Sequence, residues 1–287
     1  MNVKILFIGD IVGKPGRSLL ARQLKTVVRD HQIDCVIANA ENAAGGSGLT
    51  PQIYEKLGHY GVDLITLGDH AYRKREIIPV LESQNNIAVP GNLSEHTAGR
   101  GVARVLCAKG ITIGVVALIG RLFMKPADCP YTAADRIISR LKSEVDIIVV
   151  DFHAEATSEK IAMGYHLDGR VSCCFGTHTH IPTADEHILP NGTAYITDVG
   201  MTGSHHSVLG RKIENVLKSF RTQMPVPFEI ATEDVRADTC LVTVDSHSAR
   251  AIHIERFSIA DNGDEEQIDS LAYDADDGRP DHLNHQM

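Results

Sequence analysis

Two histidines separated by one residue, His178 and His180, follow a short apolar run that contains two cysteines. The run predicts a buried strand, which Gly176 then interrupts. In an extended backbone, residues i and i+2 point to the same side, so the sequence predicts two imidazoles aimed at one point. Neutral imidazole is the commonest metal ligand in proteins and suits Zn, Fe, Mn or Ni. A polar loop is the alternative interpretation of such a pair when it stands alone.

Residues of the same kind follow several other apolar runs. Each run predicts a buried strand, and a residue that can bind metal stands just past its C-terminal end. The full set is Asp10, Glu41, Asp69, His153, His178 and His180. Because ligands bind at the carboxyl edge of the strands in open α/β sheets, we expect these six side chains to meet at one edge. A surface or helix-capping role is the alternative for any one of them.

Six donors exceed the needs of a single metal ion, which takes about three or four protein ligands. The set therefore predicts two ions that share one carboxylate. Two ions about 3.5–4 Å apart can stabilise both the attacking and the leaving oxygen of phosphoryl transfer. The mixed oxygen and nitrogen donors fit divalent Fe, Mn or Zn and, in part, Mg.

Strands and helices alternate in the first part of the chain, and pairs of strands dominate the last part. Strands are predicted at residues 3–8, 35–40, 62–67, 145–150 and 171–175, and hairpins at 102–106 with 111–119 and at 238–244 with 251–257. Helices are predicted at residues 18–30, 51–58, 133–142 and 209–220. This order predicts a mixed α/β domain in which helices cover the outside of two sheets.

A glycine-rich segment, Gly13-Lys-Pro-Gly16, separates the first predicted strand from the helix that is expected to start at Ser18. Glycine-rich loops at helix N-termini can cradle phosphate groups. The spacing does not match the P-loop pattern, so a simple turn between strand and helix is the favoured interpretation.

The 287-residue chain is 43% hydrophobic and 23% charged, which is typical of a globular protein. It contains no Trp and only 5% aromatic residues, so a platform for stacking nucleic-acid bases is not expected. No apolar run approaches the roughly 18 residues of a membrane span, and the N-terminus carries no cleavage signal. The six cysteines form no C-x-x-C motif, which indicates a reducing, cytoplasmic compartment without a disulfide framework.

The formal net charge of −9 is concentrated near the C-terminus. Residues 259–287 hold nine acidic residues and one Arg, so residues 1–258 carry a net charge of only −1. A near-neutral body argues against stable binding to the phosphate backbone of a nucleic acid. We predict one folded domain over residues 1–258 and an acidic, solvated and disordered tail over residues 259–287.

Longer motifs surround the candidate ligands. They are Gly9-Asp10, Glu41 to Gly46, Gly68-Asp69-His70, Gly120 to Met124, Cys129-Pro130, Asp151 to Lys160, Gly176 to His180 and Tyr195 to Gly203. These motifs resemble the YmdB-type branch of the calcineurin-like metallophosphoesterases, and the resemblance extends over residues 1–257. It implies a four-layer α-β-β-α metallophosphoesterase sandwich over residues 1–258 with a dinuclear metal centre, for which Fe or Mn is expected and Zn or Mg is the alternative.

The resemblance also implies how the metal ligands are shared. One ion would be held by Asp10, Glu41 and His180. The other would be held by Asp69, His153 and His178 together with Glu41, which would bridge the two ions.

The implied reaction is hydrolysis of cyclic nucleotides, notably 2′,3′-cyclic nucleotides, with a nucleoside 3′-monophosphate as the product when the 2′-bond is cut. Asn42 would lie beside the site and orient phosphate or water. His70 would be the general acid that protonates the leaving oxygen. The partner is thus a small-molecule cyclic nucleotide, and relatives of this kind commonly form homo-oligomers.

One position departs from the family pattern. Gly68-Asp69-His70 stands where the family usually has Gly-Asn-His. Asp is similar to Asn in shape but adds a negative charge, so we expect tighter metal binding and a less electrophilic centre. Asp69 can also accept a hydrogen bond from His70 and raise its basicity.

Two other functions stay open from the sequence. The same site could serve a phosphomonoesterase or a phosphoprotein phosphatase, since the wider superfamily contains both. The protein could instead be a regulatory binding partner of an RNA-processing enzyme, with the acidic tail as the contact and catalysis as a secondary property.

Overall fold

The computed structural model describes residues 1–260. The predicted acidic tail lies outside the described residues from position 261 onward. Its first two positions continue the last strand, which ends at Ala260. None of the helices in this described part has the length and apolar character of a membrane span.

The described residues contain fourteen strands, six α-helices and one short 3-10 helix at Arg75–Ile77. The strands are β1 Asn2–Ile8, β2 Asp10–Ile11, β3 Cys35–Asn39, β4 Leu64–Thr66, β5 Ile87–Ala88, β6 Val102–Leu106, β7 Thr112–Ile119, β8 Ile147–His153, β9 Cys173–Thr177, β10 His187–Ile188, β11 Ala194–Ile196, β12 Met201–Ser204, β13 Val235–Asp245 and β14 Arg250–Ala260. The helices are α1 Gly13–His31, α2 Pro51–Tyr60, α3 Ile78–Ser83, α4 Pro130–Leu141, α5 Thr157–Leu167 and α6 Ile213–Thr222.

The strands form two sheets. The first has the order β2-β12-β13-β1-β3-β4-β5, with β14 paired to β13, and the second has the order β10-β11-β9-β8-β7-β6. Strands β1, β3, β4 and β5 are parallel, and so are β7, β8, β9 and β11. Each sheet therefore has a set of carboxyl ends at one edge, where a ligand site can form.

Three apolar cores separate four layers. Helices α1, α2 and α3 cover one face of the first sheet through residues such as Leu20, Leu57 and Leu81. The two sheets pack against each other through their inner faces, where the rings of Phe7 and Phe175 lie 4.8 Å apart. The helices α4 and α5 cover the outer face of the second sheet. This arrangement confirms the predicted α-β-β-α sandwich.

The start of α1 differs from its prediction. For the glycine-rich segment the sequence predicts a loop followed by a helix at Ser18, but the helix begins at Gly13 and includes Pro15 in its first turn. Proline is compatible with the first turn, because its missing N–H would have no partner within the helix. A side chain at Gly16 would collide with the backbone of Thr202, so the segment packs tightly against β12.

Both predicted hairpins are confirmed as antiparallel pairs, β6 with β7 and β13 with β14. The prediction for α2 also holds, and Thr50 caps this helix by accepting a hydrogen bond from the Ile53 N–H at 3.2 Å. The predicted helix at residues 209–220 is wrong at its start. Leu209 has a positive φ of 54°, and α6 begins only at Ile213.

Candidate metal centre

The six candidate ligands all lie at carboxyl ends of strands. In the first sheet Asp10 comes two positions after the end of β1 and opens the short strand β2, while Glu41 follows β3 and Asp69 follows β4. In the second sheet His153 is the last residue of β8, while His178 and His180 follow β9. The two edges face each other, so one pocket receives donors from both sheets.

Four of the candidates form a tight cluster. The donor atoms of Glu41, Asp69, His153 and His178 all lie within 4.8 Å of one another. His153 Nε2 is at the centre, 3.1 Å from Glu41 Oε1 and 3.3 Å from Asp69 Oδ1. Oxygen and imidazole donors at these separations suit a divalent metal ion.

Glycine at position 68 gives His153 its room. A side chain at Gly68 would collide with the His153 ring. The residue before Asp69 must therefore lack a Cβ, which gives a physical reason for the glycine in the Gly-Asp-His motif.

Asp10 and His180 form a looser second half of the pocket. Asp10 is fully buried, and its Oδ1 atom has no hydrogen-bond partner among the described residues. The nearest imidazole nitrogen, His180 Nε2, lies 3.8 Å away. A buried carboxylate oxygen without a donor is costly, so this atom fits the ligand of a cation.

In the cluster, the effect of burial on each pKa is opposed by the charge of a neighbouring side chain. Burial alone would raise the pKa of Glu41, but the charge and hydrogen bond of His153 lower it to about 2. For the imidazole of His153 the effects are reversed. Burial alone would lower its pKa, but the carboxylates of Glu41 and Asp69 raise it well above its usual value. In the metal-free protein the cluster is therefore held together by an imidazolium between carboxylates.

In the other candidate ligands, the effect of burial on the pKa outweighs that of nearby opposite charges. Burial raises the pKa of Asp10 well above its usual range. Burial lowers the pKa of His178 to about 3 and that of His180 to about 4, and the charge of His153 adds to both effects. Both histidines are thus neutral imidazoles at neutral pH, which is the form that binds metal.

The backbone of the His-x-His pair is not the extended strand that the sequence predicted. Strand β9 ends at Thr177, and φ is +101° at His178 and +64° at His180. The His178 N–H donates to Asp10 Oδ2 at 3.2 Å, which helps to hold the unusual conformation. The two imidazoles face different halves of the pocket rather than one point.

His70 and Asn42 link the two halves. The backbone N–H of His70 donates to Glu41 Oε2 at 3.0 Å, and its Nδ1 lies 2.7 Å from Asn42 Oδ1. Since an amide oxygen only accepts, His70 Nδ1 is protonated. The amide nitrogen of Asn42 lies 3.2 Å from His180 Nε2. His70 is partly exposed and can reach a ligand in the pocket.

Two neighbours of the candidate ligands were not predicted from the sequence. Glu155 Oε2 lies 3.2 Å from His178 Nε2, and the Leu209 carbonyl oxygen lies 3.2 Å from His180 Nδ1. Glu155 belongs to the motif after β8, so its place near the ligands was a usable signal. The contact of Leu209 is made by the backbone and has no signal in residue type.

Comparison with known proteins adds an independent finding. Residues 6–257 match the family model described as YmdB-like protein. The 2′,3′-cyclic-nucleotide 2′-phosphodiesterase of Bacillus subtilis is 43% identical over 260 residues, which span 91% of this chain and 98% of that protein.

Two solved structures share the fold along nearly their whole length. A hypothetical protein from Thermus thermophilus has a TM-score of 0.84 at 40% identity, and the match covers 90% of this chain and 100% of the Thermus chain. A novel phosphatase from Mycoplasma pneumoniae has a TM-score of 0.84 at 35% identity, and the match covers 91% of this chain and 94% of the phosphatase chain.

Proposed function

The chain belongs to the YmdB-like protein family, and from this membership we propose that it is a metal-dependent phosphodiesterase that hydrolyses 2′,3′-cyclic nucleotides to nucleoside 3′-monophosphates. The observation that carries the proposal is the pocket itself. Donor atoms of Glu41, Asp69, His153 and His178 lie within 4.8 Å of one another, and an unpartnered buried oxygen of Asp10 lies beside them.

We propose that the pocket holds two divalent ions, with Fe or Mn preferred over Zn or Mg. Asp10 and His180 would hold one ion, and the cluster of Asp69, His153 and His178 would hold the other. Glu41 would serve both, because its Oε1 faces His153 and its charge also acts on Asp10 and His180. Bound divalent ions would supply positive charge to the phosphate oxygens and lower the pKa of water.

The protein's own residues then provide orientation and a proton. Water adds to phosphorus and releases a proton to solvent, the P–O2′ bond breaks, and the ribose 2′-oxygen leaves with a proton from His70. His70 then takes up a proton from solvent, which restores the starting state. Asn42 Oδ1 fixes the ring of His70 from the Nδ1 side, which leaves Nε2 to donate that proton. The 3′-phosphate stays on the product because its own bond to ribose is not cut.

A phosphatase activity is the second candidate, favoured by the phosphatase from Mycoplasma pneumoniae among the structural relatives. A regulatory role in RNA processing through the acidic tail and a homo-oligomeric state stay predictions. We place the enzyme in a reducing, cytoplasmic setting, since all six cysteines are free thiols and five of them are buried.

The direct test is to incubate the purified protein with Mn²⁺ or Fe²⁺ and 2′,3′-cyclic AMP and to separate the products by chromatography. We expect 3′-AMP without 2′-AMP. No hydrolysis with any divalent metal would contradict the proposal, and activity confined to monoesters would favour the phosphatase.

His70→Asn provides a matched test of the proton donor. We expect kcat to fall by about 10²–10⁴-fold while the metal content is retained, because His70 donates a proton and is not a ligand. With a p-nitrophenyl diester the loss should be smaller, since that leaving group needs no proton. An equal loss for both substrates would remove His70 from the role of general acid.

A further inference from the structure

The buried metal-ligand candidate His153 is held from behind by a threonine. Parallel strands β8 and β9 place His153 directly opposite Thr177. His153 Nδ1, the nitrogen that faces away from the pocket, lies 2.9 Å from Thr177 Oγ1. The Thr177 hydroxyl donates in turn to Asp151 Oδ1 at 2.7 Å. The three side chains form a hydrogen-bonded chain inside the sandwich.

Asp151 ties this chain to both sheets. Its Oδ2 accepts hydrogen bonds from the Thr66 hydroxyl at 2.5 Å and from the Asn39 amide at 3.3 Å. Thr66 and Asn39 end β4 and β3 of the first sheet, whereas Asp151 and Thr177 belong to the second.

Asn39 extends the network toward the bridging ligand. Its side-chain oxygen accepts the backbone N–H of Glu41 at 3.1 Å. One buried carboxylate thus connects the strand ends that carry Glu41, Asp69, His153 and His178.

The direction of the hydrogen bonds fixes the tautomer of His153. The single hydroxyl hydrogen of Thr177 is directed at Asp151, so its oxygen must accept from His153 Nδ1–H. Nδ1 therefore keeps its proton, and Nε2 is the nitrogen that can present a lone pair to a cation. Outer partners of this kind orient metal-ligating histidines and strengthen them as donors.

We propose that Thr177 and Asp151 are positioning residues that preset His153 as an Nε2 donor and hold the two sheet edges at the spacing of the metal centre. The inference rests on the proposed role of His153 as a ligand. It assigns a function to two buried polar residues that do not themselves reach the pocket.

The other two histidines are held differently. The outer nitrogen of His178 faces Glu155, which is 48% exposed, and that of His180 faces a backbone carbonyl of the Leu209 loop. The His178 contact stays at the edge of the second sheet, and the His180 contact is made by a backbone carbonyl after β12, so neither of them uses a buried side chain. The chain through Thr177 is thus specific to the histidine at the centre of the cluster, which is 1% exposed.

Three variants separate positioning from mere packing. Thr177→Val keeps the branched shape and removes the hydroxyl, whereas Thr177→Ser keeps the hydroxyl. Thr202→Val is the matched control, because Thr202 is also fully buried in a strand but its hydroxyl has no hydrogen-bond partner among residues 1–260. All three are tested as the full chain, stripped of metal and then titrated with Mn²⁺.

We expect Thr177→Val to weaken Mn²⁺ binding by about 10–100-fold, the range typical of outer partners of metal ligands. Thr177→Ser and Thr202→Val should retain the wild-type affinity. Equal affinities for wild type and Thr177→Val would overturn the inference while leaving the proposed function intact. A wild-type protein that binds no divalent metal would instead overturn the proposed function.

A spectroscopic measurement guards against a Thr177→Val protein that folds poorly. In the Zn²⁺-loaded wild type, ¹⁵N NMR should show a His153 Nδ1–H that exchanges slowly with water. Thr177→Ser should keep this signal. An Nδ1 without a proton in the wild type would overturn the assigned tautomer regardless of how the variants behave.

Discussion

The two halves of the pocket differ in how their donor atoms are satisfied without metal. In the half around His153, an imidazolium lies about equally close to two carboxylates, 3.1 Å from Glu41 and 3.3 Å from Asp69. In the other half, the buried Oδ1 of Asp10 has no hydrogen-bond partner within the described chain, and His180 lies 3.8 Å away. The donors of the first half contact one another, whereas the Oδ1 of Asp10 in the second half has no such contact within residues 1–260.

The two halves of the proposed metal centre thus differ in how far they are preorganised for a cation. Where a charged histidine replaces the cation, metal binding must displace a proton. Where no group replaces it, the metal relieves an existing desolvation cost. Substitutions in the two halves should therefore have opposite effects on the stability of the metal-free protein.

The largest effect is expected for Glu41→Gln, which affects both halves. Loss of the proposed bridging carboxylate should abolish stoichiometric metal binding and lower kcat/KM by at least about a thousandfold, because several kcal/mol of charge stabilisation disappear. It should also destabilise the metal-free protein by about 3 kcal/mol, since it leaves His153 with one buried partner fewer. Metal analysis, a cyclic-nucleotide assay and urea denaturation measure these changes. Unchanged metal content would show that Glu41 is not a bridge.

Asp10→Asn tests the unsatisfied half alone. We expect the bound metal to fall from two ions to one per chain, with a large loss of activity. The metal-free variant should be more stable than wild type by about 1 kcal/mol, because burial disfavours the ionised form of Asp10, whereas an amide keeps an oxygen for the His178 N–H and carries no charge. Urea denaturation of both proteins after chelation measures the difference. A loss of stability in the metal-free state would contradict the contrast between the halves.

Asp69→Asn tests the satisfied half with a smaller change. Asparagine restores the residue that the family usually carries, and its carbonyl oxygen can still bind metal. We expect weaker metal binding together with a turnover several-fold higher at saturating metal, because the centre loses one negative charge. Titration with Mn²⁺ and steady-state kinetics across pH measure both. The charge hypothesis fails when affinity, turnover and pH profile all match those of wild type.

The smallest effect is expected for the pair of His205 and Asp238. This pair lies outside the pocket and serves as a reference for the substitutions within it. His205 Nε2 is 3.0 Å from Asp238 Oδ2, and this hydrogen bond raises the pKa of His205. A raised folded-state pKa stabilises the fold below the unfolded value of about 6.5, and the contribution disappears as pH rises through the folded value.

Asp238→Asn should therefore cost about 1 kcal/mol of unfolding free energy at pH 6 and less at pH 9. Urea denaturation at the two pH values measures this difference, with metal content as the control. A cost that is equal at both values, or larger at pH 9, would show that the pair does not act through the charge of His205.

Much of the fold could be predicted because its strands are largely apolar and end in conspicuous polar groups. The start of α1 could not, since Gly13 and Pro15 resemble a turn when their packing against β12 is unknown. The candidate ligands stand out by residue type and place. The left-handed backbone at His178 does not, because a contact from Asp10, distant in sequence, helps to hold it.

The residues behind the ligands were harder to predict for a related reason. Thr177 ends an apolar strand and has no motif of its own, and only the register of β8 with β9 places its hydroxyl at His153. Asp151 was part of a recognised motif, yet its contacts to Asn39 and Thr66 depend on how the two sheets pack. Pairing and packing are tertiary information that no single run of sequence contains.

The central claim is that donors from both sheets enclose two cations, one in each half of the pocket. Anomalous diffraction from Mn²⁺-loaded crystals tests it most directly. The account predicts two peaks per chain about 3.5–4 Å apart, on either side of the Glu41 carboxylate. A single peak in the His153 half, or peaks away from these six side chains, would contradict it.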